Sequence, residues 1–288
     1  MSLVTVVLLT FNHEPFVEEA IRGILRQSVA AEISLVWHDD ASTDATVEIG
    51  ERALAGSGMR VERIHRRHNR FSRGIPFAMD VYELCDGDFI AFHEGDDVWL
   101  KDDKIADQLS AFDEHPESDI CFTRAAAIDA GGSWLPGLVA DYSEVGGIAP
   151  IETVISGDGG FMPTSSVLLR RGVVGRVPPW AFAFHPINDY TAQVYGALRG
   201  GAIYVPAVST GYRVEHPGSW TVQTHSDPHR LMEHHLHVLR IVTRMREDMP
   251  QHSQAFEPVI RNHLGNLMSL SLQIGRYDSV ARAVELLR

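Results

Sequence analysis

Residues 88–104 read "DFIAFHEGDDVWLKDDK". The segment opens with an apolar run, Phe89–Phe92, the pattern of a strand buried on both faces. It then places Glu94, Asp96, Asp97, Asp102 and Asp103 within ten residues. Like charges at the exit of a buried strand repel one another, so they call for either a solvated turn or a cation. The same pattern recurs twice upstream. Leu3–Leu9 is a continuous Val- and Leu-rich run ending at Thr10-Phe-Asn-His, and Glu32–Trp37 ends at His38-Asp-Asp. Between these strands, Glu14–Gln27 carries apolar residues at 16, 17, 20, 21, 24 and 25, a helical stripe. Asp40-Ala-Ser-Thr-Asp supplies turn and cap chemistry for a helix starting near Asp44. Met59–His65 reads as a strand, Pro76–Cys85 as a helix, 102–115 as a helix whose start Asp102 and Asp103 cap and charge, and Asp119–Ala127 as a strand. Strands alternating with helices at this spacing predict an α/β fold with a doubly wound, mostly parallel central sheet. Ligands of such sheets lie at the carboxyl ends of the strands, where these acids stand.

Downstream, 131–160 is rich in Gly and Pro and reads as a crossover or mobile segment. Mixed strands and a helix follow, and from Asp227 the pattern is wholly helical. The expected organisation is a domain over 1–225, with halves 1–130 and 131–225, and a small helical C-terminal appendage over 226–288. The appendage is a candidate oligomerisation element.

The formal net charge of −13 argues against a nucleic-acid binder, since no global basic field attracts phosphate backbones. One basic island stands out: 60–73, "RVERIHRRHNRFSR", holds six arginines against a single glutamate, a solvated face or an anion site. No run of 18 apolar residues predicts a membrane span. The first residues lack a basic leader pattern and read as a buried strand, so the expectation is a cytoplasmic protein that leaves room for peripheral contact with a membrane. Cys85 and Cys121, in apolar surroundings without metal-like spacing, read as core thiols. His229, His234, His235 and His237 lack cysteines or a fixed ligand spacing, and read as a solvated helix face rather than a zinc site.

No G-x-G-x-x-G follows the first strand and no G-x-x-x-x-G-K-[ST] occurs, so dinucleotide and P-loop readings lose their support. Acids take that place: Asp39 and Asp40 at one strand tip, Asp96 and Asp97 at another. Either pair alone fits turn formation or helix capping. Together in one crevice they point to a hard divalent cation, Mg²⁺ or Mn²⁺, which takes oxygen ligands and shares them with phosphates.

"VTVVLLTFNHEPFVEEAIRGILRQ", "EISLVWHDDASTDAT", "CDGDFIAFHEGDDVWLKDDKI" and "YRVEHPGSWT", in this order, resemble the inverting glycosyltransferases of family 2, with the GT-A fold. The likeness is densest over 1–115 and resumes over about 160–221. It implies metal-dependent transfer of a sugar from a nucleotide-diphosphate donor, a UDP-sugar first, to a hydroxyl of a glycan or lipid-linked acceptor in cell-surface polysaccharide or glycan synthesis. It implies that Thr10, Phe11 and Asn12 line the base, and that Asp40 accepts from the pyrimidine imide. "EGDD" stands for the family's D-x-D-like motif, with Asp96 at the ribose and Asp97 on the metal. Glu94 precedes the pair here, and the metal contact could fall on it instead. Arg73 matches a basic position that pairs with the nucleotide. The likeness further implies that the base of the inverting displacement, which must deprotonate the acceptor hydroxyl, comes from an acid pair opening a helix. In "PINDYTAQ" Asn188 replaces the first acid and Asp189 is the candidate, with helix capping as its alternative and Asp158 as the second choice. His216 is a further candidate for the metal or diphosphate, and Trp220 for the acceptor site. Two other readings stay open: a sugar-phosphate nucleotidylyltransferase, disfavoured because "TFNHEPF" replaces its Gly-rich basic loop, and a non-catalytic nucleotide-sugar-binding scaffold.

Overall fold

The structure, a computed structural model, describes residues 3–183, 189–214, 216 and 218–287. The elements in order are β1 (Leu3–Thr10), α1 (Val17–Leu25), β2 (Glu32–Asp39), α2 (Thr46–Leu54), β3 (Arg60–His65), α3 (Ala78–Tyr82), β4 (Phe89–Glu94), β5 (Val98–Trp99), α4 (Lys104–Glu114), β6 (Ile120–Ile128), β7 (Trp134–Val139), β8 (Gly147–Ala149), α5 (Ile151–Ser156), β9 (Leu168–Arg170), α6 (Pro179–Ala183), α7 (Asp189–Ala197), β10 (Ala202–Arg213), α8 (Trp220–His225), α9 (Pro228–Asp248), α10 (Ser253–Ile274) and α11 (Asp278–Leu286). They gather into two compact units, Met1–Ile151 with Gly159–Val214, and Glu152–Asp158 with Glu215–Arg288.

The first unit is a mixed sheet in the order β3-β2-β1-β4-β9-β6-β10-β5. Its parallel part follows from sequence, because β1 and β2 carry apolar side chains on both faces and need cover on both. α1 supplies one cover by burying Val17, Ile21 and Ile24, each worth roughly 1.5–3 kcal/mol of transfer free energy. The edge strand β3 is protected by charge: Arg60, Glu62 and Arg63 blunt a row of open backbone groups. Register then positions the site. Thr10 of β1 lies opposite Asp39 of β2, and Leu9 opposite Glu94 of β4, so three strand tips end side by side.

Three expectations need correction. The segment 131–160 is no open crossover: β7 pairs antiparallel with β6, and β8 with β10. Arg124 ties the segment down by donating to the Ser143 carbonyl at 2.6 Å and pairing with Asp141 at 2.8 Å. The helix expected over Pro76–Cys85 shrinks to the five residues of α3. Asp102 and Asp103 do not cap α4 with their side chains. Asp103 stands at the N-cap position without a cap bond and pairs with Lys101 at 3.2 Å, while Asp102 pairs with Arg26 at 3.2 Å. In both cases a nearby cation outcompetes the backbone N–H groups.

Cys85 and Cys121 are buried free thiols pushed up to about 12 by burial. The second unit is helical, with Leu236, Leu239, Val242 and Met245 of α9 packed in its interior beside Phe256, Ile260 and Leu267 of α10. Among the described residues no helix is long and apolar enough to cross a membrane.

Candidate active site

At the tip of β1 the hydroxyl of Thr10 donates to Asp39 Oδ2 at 2.7 Å and accepts from the Trp37 indole at 3.0 Å. Asp39 is used up locally, since it also accepts from the Ser42 amide at 2.8 Å and the Ser42 hydroxyl at 2.6 Å. These bonds hold Ala41 at φ 69, a left-handed conformation rare for a residue with a Cβ. Asn12 sits at φ 55, and its side-chain oxygen accepts from the Thr43 amide at 2.8 Å. Thr10 and Asn12 therefore lock two loops together, whereas Phe11 offers an exposed ring at the strand tip.

Asp40 is buried, with one oxygen accepting from the Arg70 amide and the other from the Phe71 amide, both at 2.8 Å. Each carboxylate oxygen keeps a second lone pair. Of the arginine island, Arg66 and Arg70 are fixed here, sharing Asp80 Oδ2 at 2.5 and 2.8 Å. Arg66 also donates to His38, which burial, aided by Arg66 and Arg70, holds down at about 3. Arg73 is exposed at the end of a single 3₁₀ turn, Phe71–Arg73.

The acid loop is the most constrained part. Gly95 donates to the Leu9 carbonyl at 2.8 Å, and a Cβ on it would stand 2.6 Å from Thr10 Cγ2 and 2.7 Å from His13 Nδ1. Gly95→Ala is thus expected to displace the two flanking acids, to lower the melting temperature by several degrees and, if the loop holds the nucleotide donor that the family resemblance implies, to weaken its binding at least tenfold. Calorimetry with nucleotide beside a thermal melt checks this, and unchanged binding would show that the loop tolerates the shift.

Arg213, at the end of β10, anchors the same loop. Its amide donates to Asp97 Oδ1 at 3.0 Å and its guanidinium to the Asp96 carbonyl at 2.6 Å. The guanidinium further donates to the carbonyls of Asp129 and Ala130 and pairs with Glu19 at 2.9 Å. The 3₁₀ turn Thr164–Ser166 closes the other side. Ser165 Oγ accepts from the Glu94 amide at 2.9 Å, and its carbonyl from the Trp99 indole at 2.8 Å. Thr164 donates to Asp189 Oδ2 at 3.1 Å, on the first residue of α7. None of Arg213, Thr164 and Ser165 is among the sequence candidates. Arg213 lies within the quoted "YRVEHPGSWT" stretch, which was the available signal.

The electrostatics follow from this crowding. Burial, then Asp97, Asp96 and Asp189, holds the Glu94 carboxyl well above its ordinary range. Burial, then Asp96, pushes Asp97 up to about 8, against the pull of the Ser165 hydroxyl and Arg213. His13 stands 3.8 Å from Asp96. Asp97 Oδ2 is buried without a hydrogen-bond partner among the described residues, an expensive state for a carboxylate oxygen. Hard oxygen donors, close packing and one orphaned lone-pair group fit a divalent cation such as Mg²⁺ or Mn²⁺.

The model of glycosyl transferase family 2 matches residues 5–176, the stretch that builds this sheet and this acid loop. The chain belongs to that family. Curated relatives include uncharacterized proteins of Mycobacterium tuberculosis and Mycobacterium bovis, 28% identical over 229 residues, or 75% of this chain. The chain spans 60% of the length of these relatives. Among solved structures, residues 1–349 of Staphylococcus aureus TarS in complex with UDP-GlcNAc superpose with a TM-score of 0.72 at 14% identity, covering 100% of this chain and 80% of that one. A mannosyltransferase from Pyrobaculum calidifontis, in complex with GDP-Man and Mn²⁺, gives a TM-score of 0.62 at 15% identity, covering 98% and 78%. These likenesses show the GT-A fold for this chain.

Of the remaining sequence candidates, Asn188 lies outside the described residues. His216 is buried and Trp220 largely exposed, both in the second unit. Asp158 also belongs to that unit, where His263 donates to its carboxylate at 2.5 Å.

Proposed function

We propose that this family 2 enzyme transfers a sugar from a nucleotide-diphosphate donor, a UDP-sugar first, to an acceptor hydroxyl with inversion. The observation that carries the reading is the crowding of Asp97, Asp96 and Asp189 against the buried Glu94 carboxyl, beside an Asp97 Oδ2 that is buried without a hydrogen-bond partner among the described residues. Phe11 and Asp40 form the base subsite, Asp40 accepting the imide N–H with the lone pairs that Arg70 and Phe71 leave open. Asp96 faces the ribose and Arg73 pairs with phosphate from its exposed turn, where a guanidinium fork suits a diphosphate. Asp97, with Glu94 beside it, would hold Mn²⁺ or Mg²⁺, whose charge would stabilise a departing diphosphate. Asp189 takes the proton of the acceptor hydroxyl as the oxygen attacks the anomeric carbon from the face opposite the leaving group. The nucleotide sugars in the TarS and mannosyltransferase structures, and the Mn²⁺ in the latter, support this donor and metal class. The acceptor is a glycan or lipid-linked hydroxyl in surface-polysaccharide synthesis, an assignment supported by the family likeness.

Calorimetry with UDP and GDP, each with and without Mn²⁺, tests the donor. UDP binding that requires Mn²⁺ is expected. Absence of nucleotide binding in every condition would overturn the reading, and binding of GDP alone would overturn the uridine assignment.

A further inference from the structure

The histidines of α9 do not form a solvated face. His229 is exposed, but His235 is buried and His234 half-buried. Both turn toward His263, a buried residue on α10. Successive helical residues point about 100° apart, so His234 and His235 alone make a poor chelate. The third ring, from another helix, closes the set. One ligand nitrogen from each of the three lies within 4.8 Å of the others, and His235 Nδ1 stands 2.9 Å from His263 Nδ1.

The protons explain why this arrangement favours a metal. A carboxylate only accepts, so His263 donates its Nε2–H to Asp158 Oδ2 at 2.5 Å. In the neutral ring that leaves the Nδ1 lone pair of His263 aimed into the cluster, where His235 Nδ1–H now donates. Asp158 holds this position from a left-handed backbone, φ 58, at the end of the Glu152–Asp158 segment. A carboxylate fixing the tautomer of a ring whose other nitrogen faces a ligand site is the usual outer shell of zinc–histidine centres. Burial, then His263, holds His234 and His235 down at about 4, so both rings are neutral in neutral solution and need shed no net charge. With Zn–N bonds of 2.0–2.1 Å, tetrahedral ligand nitrogens stand about 3.3 Å apart. The His235–His263 pair is already within half an ångström of that spacing, and His234 needs a side-chain movement of the order of 1 Å.

We propose that His234, His235 and His263 form a binding site for a borderline divalent metal ion, Zn²⁺ foremost, with Asp158 orienting His263. On binding, His235 presents its Nδ1 lone pair and carries its proton on Nε2, while water takes the fourth position. The ion would join α9 to α10 and, through Asp158, to the 152–158 segment. A second clasp acts on that segment, His252 Nδ1 with Glu152 Oε1 at 2.8 Å. Imidazole ligands select Zn²⁺ over Mg²⁺, so this site and the all-oxygen acid loop take different ions.

The test titrates Zn²⁺, against a chromophoric chelator, into chelator-treated full chain in excess Mg²⁺, which occupies hard oxygen sites. One equivalent per chain is expected, and Co²⁺ in its place should give the visible absorption of tetrahedral coordination. Asp158→Asn should weaken Zn²⁺ binding by about 10–100-fold, and His235→Asn with His263→Gln should abolish it. Should that pair fail to fold, His234→Gln, at a half-buried position, should still cost at least tenfold. No Zn²⁺ bound by the wild-type chain, or undiminished affinity in folded histidine variants, would overturn the site.

Discussion

Asp189→Asn is expected to lower sugar transfer, or donor hydrolysis with water as the acceptor, by about 10²–10⁴-fold, the span of a lost general base. Nucleotide affinity should stay within about twofold. The split follows from position. Asp189 opens α7 and accepts from Thr164, while the base subsite proposed here is built from the tips of β1 and β2. Asparagine keeps the shape and can still accept from Thr164, so folding should be conserved while the proton acceptor is lost. A helix N-terminus favours the charged carboxylate, so a place in the first turn is compatible with the proposed role of base. The measurement is initial rate against donor concentration alongside UDP calorimetry. A variant within tenfold of wild-type turnover would remove Asp189 from the base role, and a parallel collapse of UDP affinity would make it a donor-binding residue.

Much of the parallel part of the fold could be read from the chain, because β1, β2 and β4 are covered on both faces and betray themselves as apolar runs ending in acids. Those runs place Asp39, Asp40, Asp96 and Asp97 at strand tips before any coordinates are known. What escaped the sequence reading depends on distant partners. β7 is exposed or half-exposed along its whole length and carries a Pro and a Gly, so its pairing with β6 leaves little local pattern. Arg213 meets Asp97 across 116 residues and Ser165 meets Glu94 across 71. The α9 histidines looked solvated because the residues that bury them, His263 and Asp158, lie 28 and 105 residues from their partners. Even within the arginine island, charge density alone could not separate Arg66 and Arg70, held by Asp80, from exposed Arg73.

Asp97→Asn is expected to abolish metal-dependent donor binding and yet raise the thermal stability of the metal-free chain. The two effects share one cause. Asp97 is buried, repelled by Asp96 and left with an oxygen that has no partner among the described residues, so ionising it in the folded state is costly. An amide of the same shape carries no charge to desolvate and still accepts from the Arg213 amide through its carbonyl oxygen. On the proposed function, the wild-type chain recovers that cost when a cation and nucleotide bind. At a hundredfold excess over the dissociation constant, binding stabilises the folded state by about 2.7 kcal/mol. Melting with and without Mn²⁺ and UDP should therefore show a gain of several degrees in the wild type and none in Asp97→Asn. The variant should start from the higher metal-free value and show transfer reduced by at least about 10³-fold, or 4 kcal/mol of lost transition-state stabilisation. Glu94→Gln separates the neighbours: if Glu94 rather than Asp97 is the principal ligand, it is that variant which loses the metal-dependent gain. A lower metal-free melting temperature for Asp97→Asn would mean that the carboxylate is a structural anchor for Arg213, and the strain assigned to the acid loop would have no thermodynamic basis.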